Sequence, residues 1–488
     1  MVTNSPQSLT GDHYTTAMLN RPLICVAFCT AFALPAVAAS LADPFTTAEL
    51  LTPPPSLVQG NGGGFQPCPA LPSTALTLSD VVNATLCGNP QTREVWANAR
   101  AQAAGVGVAE SAWLPTLDGS IAASRSRNRG GGLAEPVTRN QRDYRLGLSW
   151  LIYDFGGREA NIENARQLLT AANASQDATV QSLFLAAVQA YYQLQSTQAA
   201  LAAADEAEKA AQESFNAAEA RYKVGAATPA DKLQAQTAWS QATLNRIRAD
   251  GDLRNAQGAL ANIMGLSAVT PVQLAHPADV PALGQFETNV AQLIDEAVQR
   301  RPDLRAARAQ ALAAQAAVDA ARANGRPSVS LGISGDETRG GGLPDARSSA
   351  VGVTLNIPLF SGFSTTYKVR AAEAQAEARV AQSEQLKLKV ALDVWNSYQS
   401  LATATQTVKS SADLLASADQ SQRMALGRYK AGMGNILDVL NAQSALAGAR
   451  QQRVQALYGW NVARASLAQA MGTLDRGLID SLDERAKP

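Results

Sequence analysis

Histidine is almost absent from this sequence. Its 488 residues include only His13, in the N-terminal leader, and His276, in a proline-rich stretch. A Ser-His-Asp triad or a metal site with several histidines is therefore excluded from the mature chain. No pair of carboxylates stands out from the solvated helix faces. We predict no enzyme, no catalytic residues, no cofactor and no metal site.

Net charge is also absent. Lysine plus arginine and aspartate plus glutamate each number 41, so no net field attracts nucleic acid, and no such partner is expected. Aromatic residues make up 5% of the sequence and hydrophobic residues 46%, much of it alanine. Small side chains bury little area each but let helices approach closely. This composition favours long, extended helix packing over one globular core.

The first 39 residues have the pattern of a secretory signal. Arg21 precedes an apolar run from Leu23 to Leu34, which small residues follow at Ala36–Ala39. The pattern predicts a signal peptide over residues 1–39, with Met18 as an alternative start. A transmembrane anchor is the competing interpretation, but the apolar run is too short for a membrane span.

Cysteine is scarce once the signal is removed. Cys68 and Cys87 remain, and the oxidising compartment outside the cytoplasm favours a disulfide between them. Two free thiols are the alternative. Cys68 lies in the segment 40–77, whose proline and glycine content predicts an extended or disordered N-terminal segment.

The sequence does contain an internal repeat. R-Y-K-A-G-M-G-N-I-L-D-V-L-N-A-Q at Arg428–Gln443 recurs as R-Y-K-V-G-A-A-T-P-A-D-K-L-Q-A-Q at Arg221–Gln236, with eight of sixteen positions identical. Each copy contains a glycine, Gly225 or Gly432, where a helix can end in the left-handed conformation. Each also has an N-cap residue followed three positions later by a carboxylate, Asp231 or Asp438. We interpret both copies as tips of helical hairpins.

Paired strands precede each hairpin. Apolar residues alternate with small or polar ones at 115–124 and 144–153, as in Leu146, Leu148 and Trp150, and a second strand hairpin spans 327–358. Both strand loops contain R-G-G-G-L, at 129–133 and 339–343. These matches predict a duplication.

The predicted domain order follows from this duplication. The first repeat spans 78–265 with its strand hairpin at 115–153, a connector spans 266–289, the second repeat spans 290–472, and a tail spans 473–488. Long helices are predicted at about 158–222 and 363–429, each about 100 Å long. Return helices are predicted at about 229–264 and 436–471.

Four alternating strands of about ten residues each suit the thickness of an outer membrane but cannot close into a barrel. An open sheet edge in lipid leaves backbone groups unsatisfied, so several chains must pool their strands. Three chains would give twelve strands. A small sheet in a soluble, fibrous coiled-coil protein is the alternative.

The chain resembles the TolC family of outer-membrane exit ducts. The resemblance covers about 78–472 and rests on the duplicated R-Y-x-x-G…D tips and on two strand-to-helix corners. These corners are Y-D-F-G-G-R at Tyr153–Arg158 and P-L-F-S-G at Pro358–Gly362. The resemblance implies an α+β homotrimer with a 12-stranded transmembrane β-barrel, continuous with a long α-helical barrel. It further implies a place in the outer membrane of a Gram-negative bacterium, in contact with its lipid, with the helical barrel in the periplasm.

The resemblance also implies partners and cargo. A periplasmic adaptor meets the tips and opens a passive duct, and an inner-membrane ABC transporter or other pump supplies the energy. The cysteine pair and L-C-G-N-P at Leu86–Pro90 resemble type I secretion members that export toxins, so the expected cargo is a secreted protein toxin. Multidrug or metal efflux is the alternative.

The same resemblance implies roles for particular residues of the tips. Asp438 matches a carboxylate ring at the closed entrance, but Asn441 replaces the next carboxylate, so one acidic ring is expected. Asp231 is its equivalent in the first half. Both aspartates have a simpler interpretation as residues that stabilise a helix start.

Tyr429 and Tyr222 match tyrosines that hold neighbouring hairpins shut, although both could be ordinary packing aromatics. The arginine that pairs with this tyrosine in some relatives is replaced by Gly434, so the latch must differ here. The expected adaptor contacts are Gly225, Gly432, Arg221 and Arg428.

Overall fold

The computed structural model describes residues 43–51, 68, 75–129, 137–275, 289–341 and 344–474. The predicted signal segment, both histidines, most of the segment 40–77 and residues 475–488 lie outside these ranges. Residues 43–46 form a turn in which the amide of Thr46 donates to the carbonyl of Asp43 at 3.1 Å.

Most of the described residues are helical. The α-helices in the described ranges are α1 (Leu78–Gly88), α2 (Pro90–Ser111), α3 (Gly157–Lys223), α4 (Pro229–Ile263), α5 (Val290–Arg300), α6 (Pro302–Ala323), α7 (Ser364–Lys430) and α8 (Ile436–Ala470). The alanine-rich helices α3 and α7 have 67 residues each, contain no proline, and begin and end within one residue of the predicted bounds. In the described part of the chain, no helix is both long and apolar enough to span a membrane.

Each long helix is accompanied by two shorter helices placed end to end. Gly265, just after α4, meets the backbone of Gly88, the last residue of α1, and of Asn89, which precedes α2. The side-chain amide of Asn89, which caps α2, donates to the carbonyl of Ile263 at 3.0 Å. The carboxyl end of α4 therefore faces the amino end of α2, an arrangement that helix dipoles favour.

The second half repeats this junction with a charged residue in place of the asparagine. Gly472, after α8, packs against the backbone of Arg301, the N-cap of α6. The buried Arg301 donates to Asp303 at 2.6 Å and to Asp393 of α7 at 2.9 Å. Burial acts to raise the pKa of Asp303, but the hydrogen bonds and charge of Arg301 outweigh it and hold that pKa below its ordinary value. This network fixes the junction to the long helix.

The largest hydrophobic cluster lies around the first of these junctions. It joins α1, the middle of α3, the end of α4 and the described part of the connector, through residues such as Leu78, Leu194 and Leu260. Leu76 and Leu274 form a parallel β-bridge beside it. The chain's N-terminal segment and its connector therefore meet halfway along the long helix.

The four strands form one antiparallel sheet in the order β1-β2-β3-β4. They are β1 (Thr116–Asn128), β2 (Val137–Tyr153), β3 (Ser328–Gly340) and β4 (Ala346–Asn356). The prediction of about ten residues per strand was too short for β1, β2 and β3. The parts nearest the hairpin loops carry charged residues on both faces, which conceals the period of two.

The corner between β2 and α3 is built around Arg158. This side chain is buried, and its guanidinium donates to the carbonyls of Leu151 at 2.6 Å and Ile152 at 2.9 Å. The same group lies 4.0 Å from the ring centre of Trp113, in the connection between α2 and β1. One side chain thus joins β2 and the connection that precedes β1 to the start of the long helix.

A disulfide joins Cys68 to Cys87, with Cα atoms 5.7 Å apart. Cys87 is buried near the end of α1. The bond fastens the N-terminal segment to the helix that begins the first repeat.

Candidate functional site at the paired helical tips

The duplicated tip sequences form two turns with the same backbone geometry. After α3, the amide of Gly225 donates to the carbonyl of Tyr222 at 3.0 Å, and Ala226 donates to Arg221 at 2.8 Å. After α7, Gly432 donates to Tyr429 at 3.1 Å, and Met433 donates to Arg428 at 2.9 Å. These are Schellman turns, and both glycines have φ of 76°. The R-Y-x-x-G spacing is thus the spacing of a helix end.

Both tip glycines are uncovered. A Cβ atom added at Gly225 or Gly432 would meet no atom within 4 Å. Their surroundings leave room for another molecule to approach the backbone closely.

The two tip aspartates differ in what they do. Asp231 forms a capping box with Thr228: the Thr228 amide donates to its carboxylate at 2.9 Å, and its own amide donates to the Thr228 hydroxyl at 3.2 Å. α8 is instead capped by Asn435, which accepts from the amide of Leu437 at 3.2 Å. Asp438 is exposed, and its carboxylate bonds to no described residue. Capping therefore accounts for Asp231 but not for Asp438.

Tyr429 lies in the contact between the two hairpins. It is 7% exposed and packs in a cluster with Ala218, Ala235, Ile436 and Val439, which come from α3, α4 and α8. The guanidinium of Arg221 lies 4.4 Å from its ring centre, at cation–π distance. Its hydroxyl is buried without a partner among the described residues. Within one chain, the cation–π contact of Arg221 with Tyr429 thus joins the two hairpins.

Gly434 lies against the end of α7. A Cβ atom there would come within 2.9 Å of the amide nitrogen of Tyr429 and 3.2 Å of the Cβ of Arg428. A side chain at this position would crowd the residue that holds the hairpins together.

Tyr222 and Arg428 point away from this contact. Tyr222 is 41% exposed, and Arg428 is exposed without an ion-pair partner in the described residues. Beside Tyr222, hydrogen bonds from Lys232 and Lys223 hold the pKa of Glu219 below its ordinary value. The structure separates two tyrosines that the repeat makes equivalent: Tyr429 contacts the other hairpin, whereas the ring of Tyr222 has Lys232 of its own hairpin 5.7 Å from its centre.

Sequence reasoning missed the role of Arg221 as the partner of Tyr429. The only sequence signal was the repeated R-Y pair, which does not reveal that the two residues meet across hairpins. The described residues contain no group of three or more acidic, histidine or cysteine side chains suited to a metal ion.

Comparisons with known proteins agree with this architecture. A family model described as outer membrane efflux protein matches residues 81–266 and 293–473. Protein CyaE of Bordetella pertussis is 31% identical over 440 residues, or 88% of this chain and 92% of the relative. Outer membrane efflux protein BepC of Brucella suis biovar 1 is 25% identical, covering 84% of this chain and 91% of the relative.

A solved structure of the outer-membrane channel OprN has the same fold. It superposes with a TM-score of 0.73 at 24% identity, covering 81% of this chain and 90% of that one.

Proposed function

We propose that this chain, which belongs to the outer membrane efflux protein family, is the exit duct of a type I secretion system that exports a protein toxin. The chain is an outer-membrane channel protein and not an enzyme, and its long helices extend into the periplasm. The cargo assignment rests on one observation, the Cys68–Cys87 disulfide at the L-C-G-N-P segment, by which the sequence resembles toxin-exporting members. The higher identity to CyaE than to BepC supports it.

The second candidate is drug or metal efflux, which the similarity to the efflux protein BepC favours. A deletion strain scored twice separates the two. Loss of one large protein from the culture supernatant, with unchanged tolerance of dyes, detergents and antibiotics, supports dedicated secretion. Broad hypersensitivity with an intact supernatant would contradict it and establish efflux.

Closure of the duct requires more than one copy. Within one chain β1 and β4 are both edge strands, and an unpaired edge in lipid costs several kcal/mol per unsatisfied group. Three copies give twelve strands, with β4 of each copy paired to β1 of the next. The helical hairpins then form a ring of six.

The tips form the closed entrance of this ring. Arg428 occupies in the second hairpin the place that Arg221 occupies in the first, and Tyr222 corresponds to Tyr429. Since the second hairpin of one copy neighbours the first hairpin of the next, Arg428 stacks on Tyr222 of that next copy. This contact explains why both side chains are exposed in a single copy, and it supplies a latch that does not need an arginine at position 434.

Docking of a periplasmic adaptor occurs at the bare glycines of the tips. Gly432→Asn is expected to weaken docking about tenfold or more, because the new side chain fills open space that the adaptor needs. Asparagine tolerates the left-handed φ, so the turn and the thermal stability should persist. The measurement is the amount of adaptor cross-linked to the duct in cells, together with cargo in the supernatant.

Gly432→Ala is the matched variant, since it adds backbone strain with a smaller side chain. If Gly432→Asn docks normally while Gly432→Ala lowers stability, the glycine serves only the turn.

Asp438 forms an acidic ring at the entrance. Asp438→Ala is expected to reduce the preference for cations in planar bilayers, because each copy loses a tip carboxylate that has no partner among the described residues. Asp231→Ala is the contrasting variant. It should leave the ion preference unchanged and destabilise the start of α4 by about 0.5–2 kcal/mol. Identical conductance and ion preference in the Asp438→Ala and unaltered ducts would contradict this role.

A further inference from the structure

The strand register sorts the side chains of the sheet onto two faces. Leu148 of β2 lies opposite Leu117 of β1 and Ile333 of β3, and Ile333 lies opposite Val351 of β4. All four residues therefore share one face, which is the lipid-facing side in an outer-membrane protein. The other face carries mainly serine, glycine, threonine and charged residues.

Above this apolar band, the same lipid-facing side carries arginines. They lie near the hairpin loops, the ends of the strands furthest from the helices, on all four strands. We call them the outer arginine patch: Arg125, Arg127, Arg142, Arg339 and Arg347. All five are exposed.

The patch is poorly neutralised by the protein. Glu337 accepts hydrogen bonds from Arg339 at 2.8 Å and Arg347 at 3.0 Å, and Asp345 precedes β4 nearby. Arg125, Arg127 and Arg142 have no ion pair with any residue that the structure describes. These three guanidiniums on the lipid-facing side thus have no carboxylate partner among the described residues.

Charges at the same height on the opposite face are better balanced. Two arginines on that face, Arg139 and Arg145, are matched in number by two aspartates, Asp143 and Asp336. Arg145 pairs with Asp336 at 2.6 Å, and Asp143 accepts from Thr338 at 2.8 Å and Gln141 at 2.8 Å. The excess of positive charge is therefore specific to the face that meets the membrane, rather than general to the ends of the strands.

Two patch arginines face each other on neighbouring strands, and of the two only Arg339 has a carboxylate partner among the described residues. Arg142 and Arg339 are direct cross-strand partners, on the same face, and like charges in that position destabilise a sheet. Arg125 is a diagonal neighbour of Arg142, because its direct partner is Asn140. A bound anion between these three side chains would turn the repulsion into attraction, and guanidiniums match phosphate oxygens in pairs.

We propose that the outer arginine patch binds the phosphate groups of lipid headgroups in the outer leaflet. The apolar band fixes the depth of the chain in the membrane, and the patch lies directly above it, at the level of the headgroups. The lipid chains pack on the apolar band while the phosphates bridge Arg125, Arg142 and Arg339. This proposal rests on the chain's place in the outer membrane and not on its cargo or its adaptor.

The test is binding of diphosphoryl lipid A to the purified full-length duct in detergent, followed by native mass spectrometry. The triple variant Arg125→Gln, Arg142→Gln and Arg339→Gln is expected to bind at least about tenfold more weakly, since three phosphate contacts are lost. A dephosphorylated lipid A should bind the triple variant and the unaltered duct alike. Toxin secretion should be retained, so failure here and failure of the proposed function are distinguishable.

A matched pair of single variants controls for loss of charge. Arg142→Gln and Arg139→Gln lie three residues apart on β2, but the register places Arg139 on the opposite face. Only Arg142→Gln should weaken binding. The proposal is overturned if both variants weaken it equally, if the triple variant binds normally, or if the unaltered duct does not distinguish the phosphorylated lipid. Displacement of lipid A by millimolar inorganic phosphate would also overturn it, by identifying free phosphate as the ligand.

Discussion

Gly265→Ala is expected to destabilise the protein by about 2–5 kcal/mol, through backbone strain together with overlap in a packed junction. Gly265 has φ of 76°, and a Cβ atom there would overlap the carbonyl of Gly88. Relief of that overlap must separate α4 from α2, which breaks the end-to-end helix beside α3. Thermal unfolding of the purified duct, followed by circular dichroism, measures the effect.

Gly225→Ala is the matched control for that result. Gly225 has the same φ of 76° but open space around it, so it should incur only the strain of about 1–2 kcal/mol. Equal losses at the two sites would show that the junction between α4 and α2 yields easily, contrary to the packing described here.

Arg158→Ala is expected to destabilise the protein by about 3–5 kcal/mol, because removal of a buried charged donor leaves its acceptors unsatisfied. The carbonyls of Leu151 and Ile152 lose their hydrogen bonds, and Trp113 loses the cation on its ring. Arg158→Lys should lose less stability than Arg158→Ala, since lysine keeps the charge but cannot donate to both carbonyls in the same geometry. The yield of folded trimer and its unfolding temperature report the effect.

The second half of the chain supplies the control. Thr365 occupies the equivalent place at the corner between β4 and α7, where its hydroxyl meets that of Ser361 at 3.1 Å in an exposed setting. Thr365→Ala should cost less than about 1 kcal/mol, as a neutral hydrogen bond in water contributes little. A loss as large as that of Arg158→Ala would mean that both corners depend on simple packing.

Local patterns predicted the helices and the tip turns closely. The Schellman turns at Gly225 and Gly432 depend on a few neighbouring residues and on one glycine each, so a repeated R-Y-x-x-G is sufficient to locate them. The long helices follow from alanine-rich sequence without proline.

Interactions between distant parts of the chain were not predictable in the same way. The repeat makes Asp231 and Asp438 look alike, yet the cap residue before each one, Thr228 or Asn435, decides whether the carboxylate is used for capping. The contact of Arg221 with Tyr429 depends on which hairpins become neighbours, which no short pattern encodes. Strand length was underestimated for the related reason that polar barrel ends carry no apolar alternation.

The duplication also predicts how one copy meets the next. The cross-strand pair of Thr116 with Ser149 in the first strand hairpin is equivalent to the pair of Ser328 with Asn356 in the second. Between the two hairpins, Gly147 of β2 pairs with Ser334 of β3. The equivalent pair between β4 of one copy and β1 of the next is Thr354 with Ala122. Within one chain these residues lie on opposite edge strands of the sheet.

The most direct test of the closed trimer is therefore a cysteine cross-link between Thr354→Cys and Ala122→Cys. Oxidation in the outer membrane should give a covalent trimer on a denaturing gel, because paired residues place their Cβ atoms about 4.5–5.5 Å apart. Thr354→Cys with Asp118→Cys is the control, displaced by four residues, or about 13 Å along the strand. A covalent trimer from the first pair alone is the predicted result, whereas monomers from both pairs would contradict a barrel built from three copies.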